Sequence, residues 1–411
     1  MKLSIEKRKA YLLIALCWLV YSCSYIGKLS YNANIVQIGP AFGVTKDECG
    51  MVSSFFFFAY GIGQVVNGMM CKRYNIKYVI YGALTVAAAM NLLVPIVTSF
   101  ALVKYIWLIN GIAMSFLWTS LIRLLSETLR DEDMNKAIIA MGTTVATGTF
   151  IVYGLSALFS AVASYHLTFI VAGVAMLIVS FIWLFSFSRL TDTEKPKSFE
   201  ATEHPMHIPE KTSHKTLALI SVLAFFAVAN NFTKDGLTAW TPDILKNTYS
   251  TPDWLSILLT LLLPTLAILG TVVAVNLQKR THSFVLSVTL LFVVSATLIG
   301  AVLYLLSTGS YLALTVGIFG IVSCLMAGVN NIITSMVPLS LKSEGNSGKI
   351  AGILNGFCYL GSTISSYGLG LIAERAGWSS VFTTLIGVSI FVITIGTIYI
   401  IYNKIKKGAN R

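Results

Sequence analysis

Two lysines, Lys28 and Lys234, lie inside runs of apolar residues long enough to cross a bilayer. A charge at the centre of such a helix costs about 2.5–3.5 kcal/mol on insertion scales, so it is kept with a partner or beside a watery cavity. Each sits about a turn beyond the middle of its run, too deep for easy snorkelling to the headgroups. One reading is that each bonds backbone carbonyls or an acid within the bundle. The other is that both face one aqueous cavity, where an anion about 4 Å away gains about 4 kcal/mol at an effective dielectric near 20. Two ammonium groups repel across an empty cavity, and a dianion or phosphate ester relieves that repulsion best. Lysine is a compact point charge, less selective for a planar oxyanion than the arginine fork.

The neighbours of these lysines are polar and aromatic. Tyr21, Tyr25, Lys28, Tyr31 and Asn32 recur at helical spacing and fall on one face, as a substrate-facing wall or as a tyrosine stripe packed between helices. Asn230, Asn231, Lys234 and Trp240 form the matching segment in the second half. Gln64, Asn67, Asn330, Asn331 and Asn355 are further amides within spans, each able to reach a substrate or to join two helices. Asp235 is the one acid deep within a span. As the sequence neighbour of Lys234 it projects about 100° away around the helix, which makes a direct pair awkward. That leaves a basic partner on another helix, or proton exchange if burial favours the neutral acid. Arg123 and Glu127 are spaced for an ordinary pair at a helix end, a structural or gating contact.

The elements that must position these groups are helices. Of 411 residues, 56% are hydrophobic and 11% charged, and the mean hydropathy is +0.78; soluble domains carry about 25% charged residues. Unbroken apolar stretches such as Val79 to Val94 and Leu217 to Val228 exclude the alternating pattern of a membrane β-barrel. Apolar blocks predict spans at about 10–37, 49–70, 77–99, 101–126, 137–162 and 166–188, then 216–241, 254–277, 282–306, 310–339, 349–372 and 378–402. The expected fold is therefore all-α: residues 1–188 and 216–411 as two pseudo-symmetric six-helix halves, joined by a cytoplasmic linker at 189–215.

Basic residues set the orientation. With the N-terminus inside, about 23 of the 29 Lys and Arg fall on the cytoplasmic side, which places both termini in the cytoplasm of a multi-pass cell-membrane protein. Only Lys46, Lys104, Lys246 and Arg375 fall outside. The net charge of +12 is scattered topologically and does not indicate nucleic acid. The basic pairs Lys72-Arg73 and Lys279-Arg280 lie about 207 residues apart and the two deep lysines about 206, a single offset that points to an internal repeat. Six cysteines without a CxxC pair indicate neither zinc nor a disulfide framework. Five histidines, His166, His204, His207, His214 and His282, lie at loops or span ends, so neither a metal cluster nor an enzyme's acid–base set is expected, and no cofactor.

Twelve spans, a central linker and paired basic loops resemble the major facilitator superfamily. Within it, "YIGKLSYNANI" at Tyr25 to Ile35 and "KDGLTAWTPDIL" at Lys234 to Leu245 resemble the first- and seventh-helix motifs of the organophosphate:phosphate antiporter (sugar phosphate permease) family, and "FLWTSLIR" at Phe116 to Arg123 is similar to its fourth helix. The resemblance implies that Lys28 and Lys234 stand where that family holds phosphate with two arginines. Lys72, Arg73, Arg123, Lys279 and Arg280 are expected to serve gating or structural roles. A fifth-helix histidine of the family's phosphate exchangers is replaced here by "GTTVATG" at Gly142 to Gly148, and Lys72 stands where its loop motif has an acid.

The expectation is a secondary transporter that moves a small organic anion by alternating access, with a sugar phosphate or other organophosphate as first choice. Its binding residues would be Lys28, Lys234, Tyr25, Tyr31, Asn32, Gln64, Asn230 and Asn331, with phosphate or a proton as counter- or co-ion, and it would work as a monomer in the lipid bilayer. The alternatives are a carboxylate or dicarboxylate transporter, or a transporter-like membrane sensor of an anionic metabolite.

Overall fold

The computed structural model describes residues 5–70, 73–191, 214–341 and 347–409, and they form helices without a strand among them. Lys72 and most of the linker lie outside the described residues. Eleven segments among them are long and apolar enough to cross a membrane. Ten are single spans: α1 (Lys7–Ala33), α2 (Lys46–Met70), α3 (Ile76–Ile96), α4 (Phe100–Thr128), α5 (Glu132–Val162), α6 (His166–Thr191), α7 (Thr216–Tyr249), α8 (Asp253–Thr281), α9 (Phe284–Thr308) and α10 (Leu312–Ser340). The last, Ile350–Lys406, is interrupted at Gly377, whose φ of 77° and ψ of 173° leave the helical region. Glycine adopts that φ without the Cβ clash that other residues suffer, so the segment divides into α11 before it and α12 after it. The result is a twelve-helix membrane fold.

By internal contacts the chain divides into two units, Met1–Asn34 with Phe55–Ile208 and Ile35–Ser54 with Pro209–Arg411. The division falls within α2. A short helix, Ile35–Phe42, follows α1 after a turn at Asn34 and belongs with the second unit.

In both units large apolar side chains occupy both the interior and the outer surface. Trp107, Trp183 and Phe169 are fully buried, whereas Ile139, Val162 and Phe185 are exposed, as expected where the outer medium is hydrocarbon. With lipid as apolar as leucine, the helices associate through close packing and interhelical hydrogen bonds. In the first unit α5 lies so near α1 that a Cβ on Gly148 would meet the Cβ of Tyr25 and the carbonyl oxygen of Ser22. In the second, a Cβ on Gly361 of α11 would strike the carbonyl oxygen of Val228 on α7. Neither contact relaxes by a side-chain rotation alone. Gly148→Val should therefore force α5 off α1 and lower the melting temperature of the detergent-purified protein, whereas Gly142→Ala, in open space, should leave it unchanged.

Candidate functional site

In the first unit, amides hold the back of α1 at the level of Lys28. The Gly27 carbonyl accepts from Asn91 Nδ2 of α3 at 3.2 Å and from Asn110 Nδ2 of α4 at 3.4 Å, while Ser30 Oγ donates to Asn91 Oδ1 at 2.8 Å. These contacts clamp the backbone one residue from the lysine. The Lys28 side chain, only 7% exposed, turns the other way. Its Nζ lies 4.0 Å from the ring centroid of Tyr60, 5.0 Å from Tyr25 and 5.9 Å from Phe56. Gln64 Nε2 donates to Tyr60 Oη at 2.9 Å and so fixes the ring that approaches closest.

A desolvated cation–π contact contributes about 2 kcal/mol. That offsets much of the insertion cost of the charge.

Tyr31 is fully buried with its ring 5.6 Å from Trp107, whose ring also lies 6.2 Å from that of Phe56. Asn32 is buried at 8% exposure. Phe56 and Tyr60 were absent from the candidates, although Phe56, Tyr60 and Gln64 recur every four residues along one face of α2. Asn67 serves helix packing: its Nδ2 donates to the carbonyls of Ser115 and Phe116 at 3.3 and 3.1 Å, and Tyr74 donates to its Oδ1.

In the second unit the geometry corrects one expectation. Lys234 Nζ pairs directly with Asp235 Oδ1 at 3.3 Å, both side chains being about a fifth to a quarter exposed (24% and 20%). The 100° between adjacent residues governs where Cβ points, and the four-carbon lysine stem swings the ammonium back across that angle. Nor is the cross-helix partner of Asp235 a basic residue. Asp235 Oδ2 accepts from Ser362 Oγ of α11 at 2.5 Å and from Asn231 Nδ2 at 3.0 Å. Asn230, fully buried, donates to Asn231 Oδ1 at 3.1 Å and stands behind the pair. Ser362 was missed; its signal was a serine stripe at Ser362, Ser365 and Ser366. Asn331 is half-buried where α10 widens into a π-turn, Ile332–Met336. Its neighbour Asn330 accepts from the Cys358 thiol at 3.6 Å.

Away from these groups, Arg123 Nε pairs with Glu127 Oε1 at 2.7 Å on one helix turn. Arg73, Lys279 and Arg280 are exposed at span ends. At the opposite ends, the start of α2 packs on α11: Lys46 Nζ lies 3.5 Å from Glu374 Oε2, Ser54 Oγ donates to the Thr363 carbonyl at 2.6 Å, and a Cβ on Gly50 would strike the Ser366 carbonyl. Because the Lys46–Glu374 pair is about one-third exposed (30% and 36%), it contributes about 0–1 kcal/mol. Glu374→Gln should thus change any rate that depends on parting these segments by less than about fivefold, while Gly50→Val should change it far more.

Comparison with known proteins places this architecture. A profile described as "Major Facilitator Superfamily" matches residues 17–365. The "Probable hexose phosphate transport protein" of Chlamydia trachomatis is 20% identical over 402 residues, covering 90% of this chain and 86% of that protein. The "Membrane sensor protein UhpC" of Salmonella typhimurium is 26% identical over 99 residues, 24% of this chain; the match spans only 22% of that relative's length. Among solved structures, a bacterial homolog of the human lysosomal transporter Spinster superposes with a TM-score of 0.73 at 13% identity, covering 96% of each chain. The nucleoside transporter NupG gives 0.68 at 13% identity over 95% of this chain and 98% of its own. These structures share the fold. With the profile spanning most of the sequence and eleven apolar segments long enough to cross a membrane among the described residues, the chain belongs to the Major Facilitator Superfamily and is a multi-pass membrane protein.

Proposed function

We propose that this protein is a secondary active transporter of a small organic anion, a sugar phosphate or other organophosphate, that works by alternating access in the cell membrane with both termini cytoplasmic. Residues 1–188 and 216–411, joined by 189–215, act as the two moving halves, and Lys28 and Lys234 bind the same anion. The observation that carries this reading is an ammonium group deep in the corresponding helix of each half. Lys28 is held in an aromatic box, and Lys234 in a polar cluster about a quarter exposed. The hexose phosphate transport relative, aligned over nearly the whole chain, supports the choice of organophosphate. Phosphate or a proton serves as counter- or co-ion.

A second reading, a sensor of the same class of anion, is favoured by the short match to the membrane sensor protein. One assay separates them. In proteoliposomes, labelled hexose phosphate, glycerol phosphate and dicarboxylates are offered against internal phosphate, internal substrate or an imposed proton gradient. Accumulation of an organophosphate with one of these drives is the expected result. Binding without uptake under every drive would favour the sensor, and uptake of dicarboxylates alone would overturn the organophosphate assignment.

A further inference from the structure

A basic pocket and an apolar groove adjoin at the end of the first unit where α1 begins. The pocket, about 160 Å³, lies between α1, the connection from α4 to α5 and the end of α6, and its charged lining residues are Lys7, Lys9, Arg130 and Asp133. Asp133 is already engaged by Lys136 at 3.2 Å, and Glu127, at the same end, by Arg123. The groove, about 320 Å³, runs along Leu12, Ala15, Leu16 and Leu19 of α1 against the last turns of α6, where Arg189 stands beside it. Leu190 of α6 lines both cavities.

We propose that this is a binding site for one anionic phospholipid, with the phosphate in the basic pocket and an acyl chain in the groove. Length selects a lipid. From Lys9 to Leu19 the groove covers about 15 Å of α1, half of a hydrocarbon core about 30 Å thick and so the depth of one leaflet. Charge selects an anionic one, since three cations line the pocket, a fourth stands by the groove, and the acid among them already has a partner. Size permits it: a cavity of about 150 Å³ takes a benzene molecule, so the pocket has room for a phosphate group. The cations need not be idle for this. A guanidinium carries five N–H donors and an ammonium three, so each can keep its protein contacts and still donate to a phosphate oxygen.

The site is separate from the Lys28 box. Leu12, Ala15, Leu16 and Leu19 lie about 120–180° around α1 from Lys28, and the nearest of them is about 14 Å away along the axis. It lies within the first unit alone and does not depend on what the protein transports.

The test is native mass spectrometry of the purified full-length protein in detergent with equal amounts of phosphatidylglycerol and phosphatidylcholine of the same acyl chains. Wild type should retain one phosphatidylglycerol per chain, at least about tenfold in preference to phosphatidylcholine. Lys9→Gln/Arg189→Gln should lower that preference at least about tenfold, at about fivefold for each cation lost. Lys404→Gln/Lys406→Gln, which removes the same charge from an exposed helix end, should keep it within about twofold. Ala15→Trp, which fills the groove at an exposed position without touching a charge, should also weaken retention of phosphatidylglycerol. Equal retention of the two lipids by wild type, or equal losses in the two charge variants, would overturn the proposal. So would displacement of the lipid by excess inorganic phosphate with Ala15→Trp unaffected, which would make the pocket a site for a soluble anion. If the Lys9 and Arg189 variant does not fold, wild type and Ala15→Trp decide. None of these readouts involves transport, so failure here leaves the transport reading standing.

Discussion

Lys28→Gln should lower the apparent affinity for the transported anion by at least about a hundredfold while the protein still inserts and purifies. Glutamine is one atom shorter but leaves a polar group beside the Tyr60, Tyr25 and Phe56 rings, and it removes the charge. One ammonium–anion contact at about 4 Å is worth about 4 kcal/mol at an effective dielectric near 20, and each 1.4 kcal/mol is a factor of ten. Stability should change little, because the cost of burying the charge disappears together with its cation–π contacts. Lys28→Arg should retain binding in part, since the charge survives while the planar fork needs a wider slot than the box provides. Concentration-dependent uptake in proteoliposomes reads both variants.

Lys234→Gln is expected to behave differently, and the reason is its carboxylate neighbour. Removing this ammonium leaves Asp235 with Asn231 and Ser362 but without its positive partner. Breaking a buried pair by deleting one member costs about 3–5 kcal/mol, and with a side chain about a fifth exposed the lower end applies. The single variant should therefore give a lower yield and a lower melting temperature than wild type. The double variant Lys234→Gln/Asp235→Asn removes both charges and should recover stability without recovering transport. If the single and double variants melt alike, the pair carries no stability. If the double variant transports at the wild-type rate, Lys234 is not needed for the substrate.

The outline of the fold was legible in the sequence because apolar runs bounded by charges set spans directly, and the break near Arg375–Gly377 was visible as a charge and a glycine between two such runs. The two deep lysines were legible for the same reason, as charges where hydrocarbon discourages them. What surrounds them was not. The Lys234–Asp235 pair escaped a helical-wheel argument because a wheel records Cβ directions and ignores the length of the lysine stem. The box around Lys28 depends on Phe56 and Tyr60 approaching from another helix, and Ser362 reaches Asp235 across 127 sequence positions. Periodicity places each of these residues on a face of its own helix without saying which face it meets. The packing of residues 35–54 with α11 was hidden for the same reason: the contacts of Lys46 with Glu374 and of Gly50 with Ser366 join segments more than 300 positions apart.

The most direct measurement is equilibrium binding of the transported anion to purified wild-type protein, Lys28→Gln and the stable double variant Lys234→Gln/Asp235→Asn. One anion per chain for wild type, and none detectable at the same concentration for either variant, is the expected result. Wild-type affinity in both variants would contradict the assignment of the two lysines as the groups that hold the substrate.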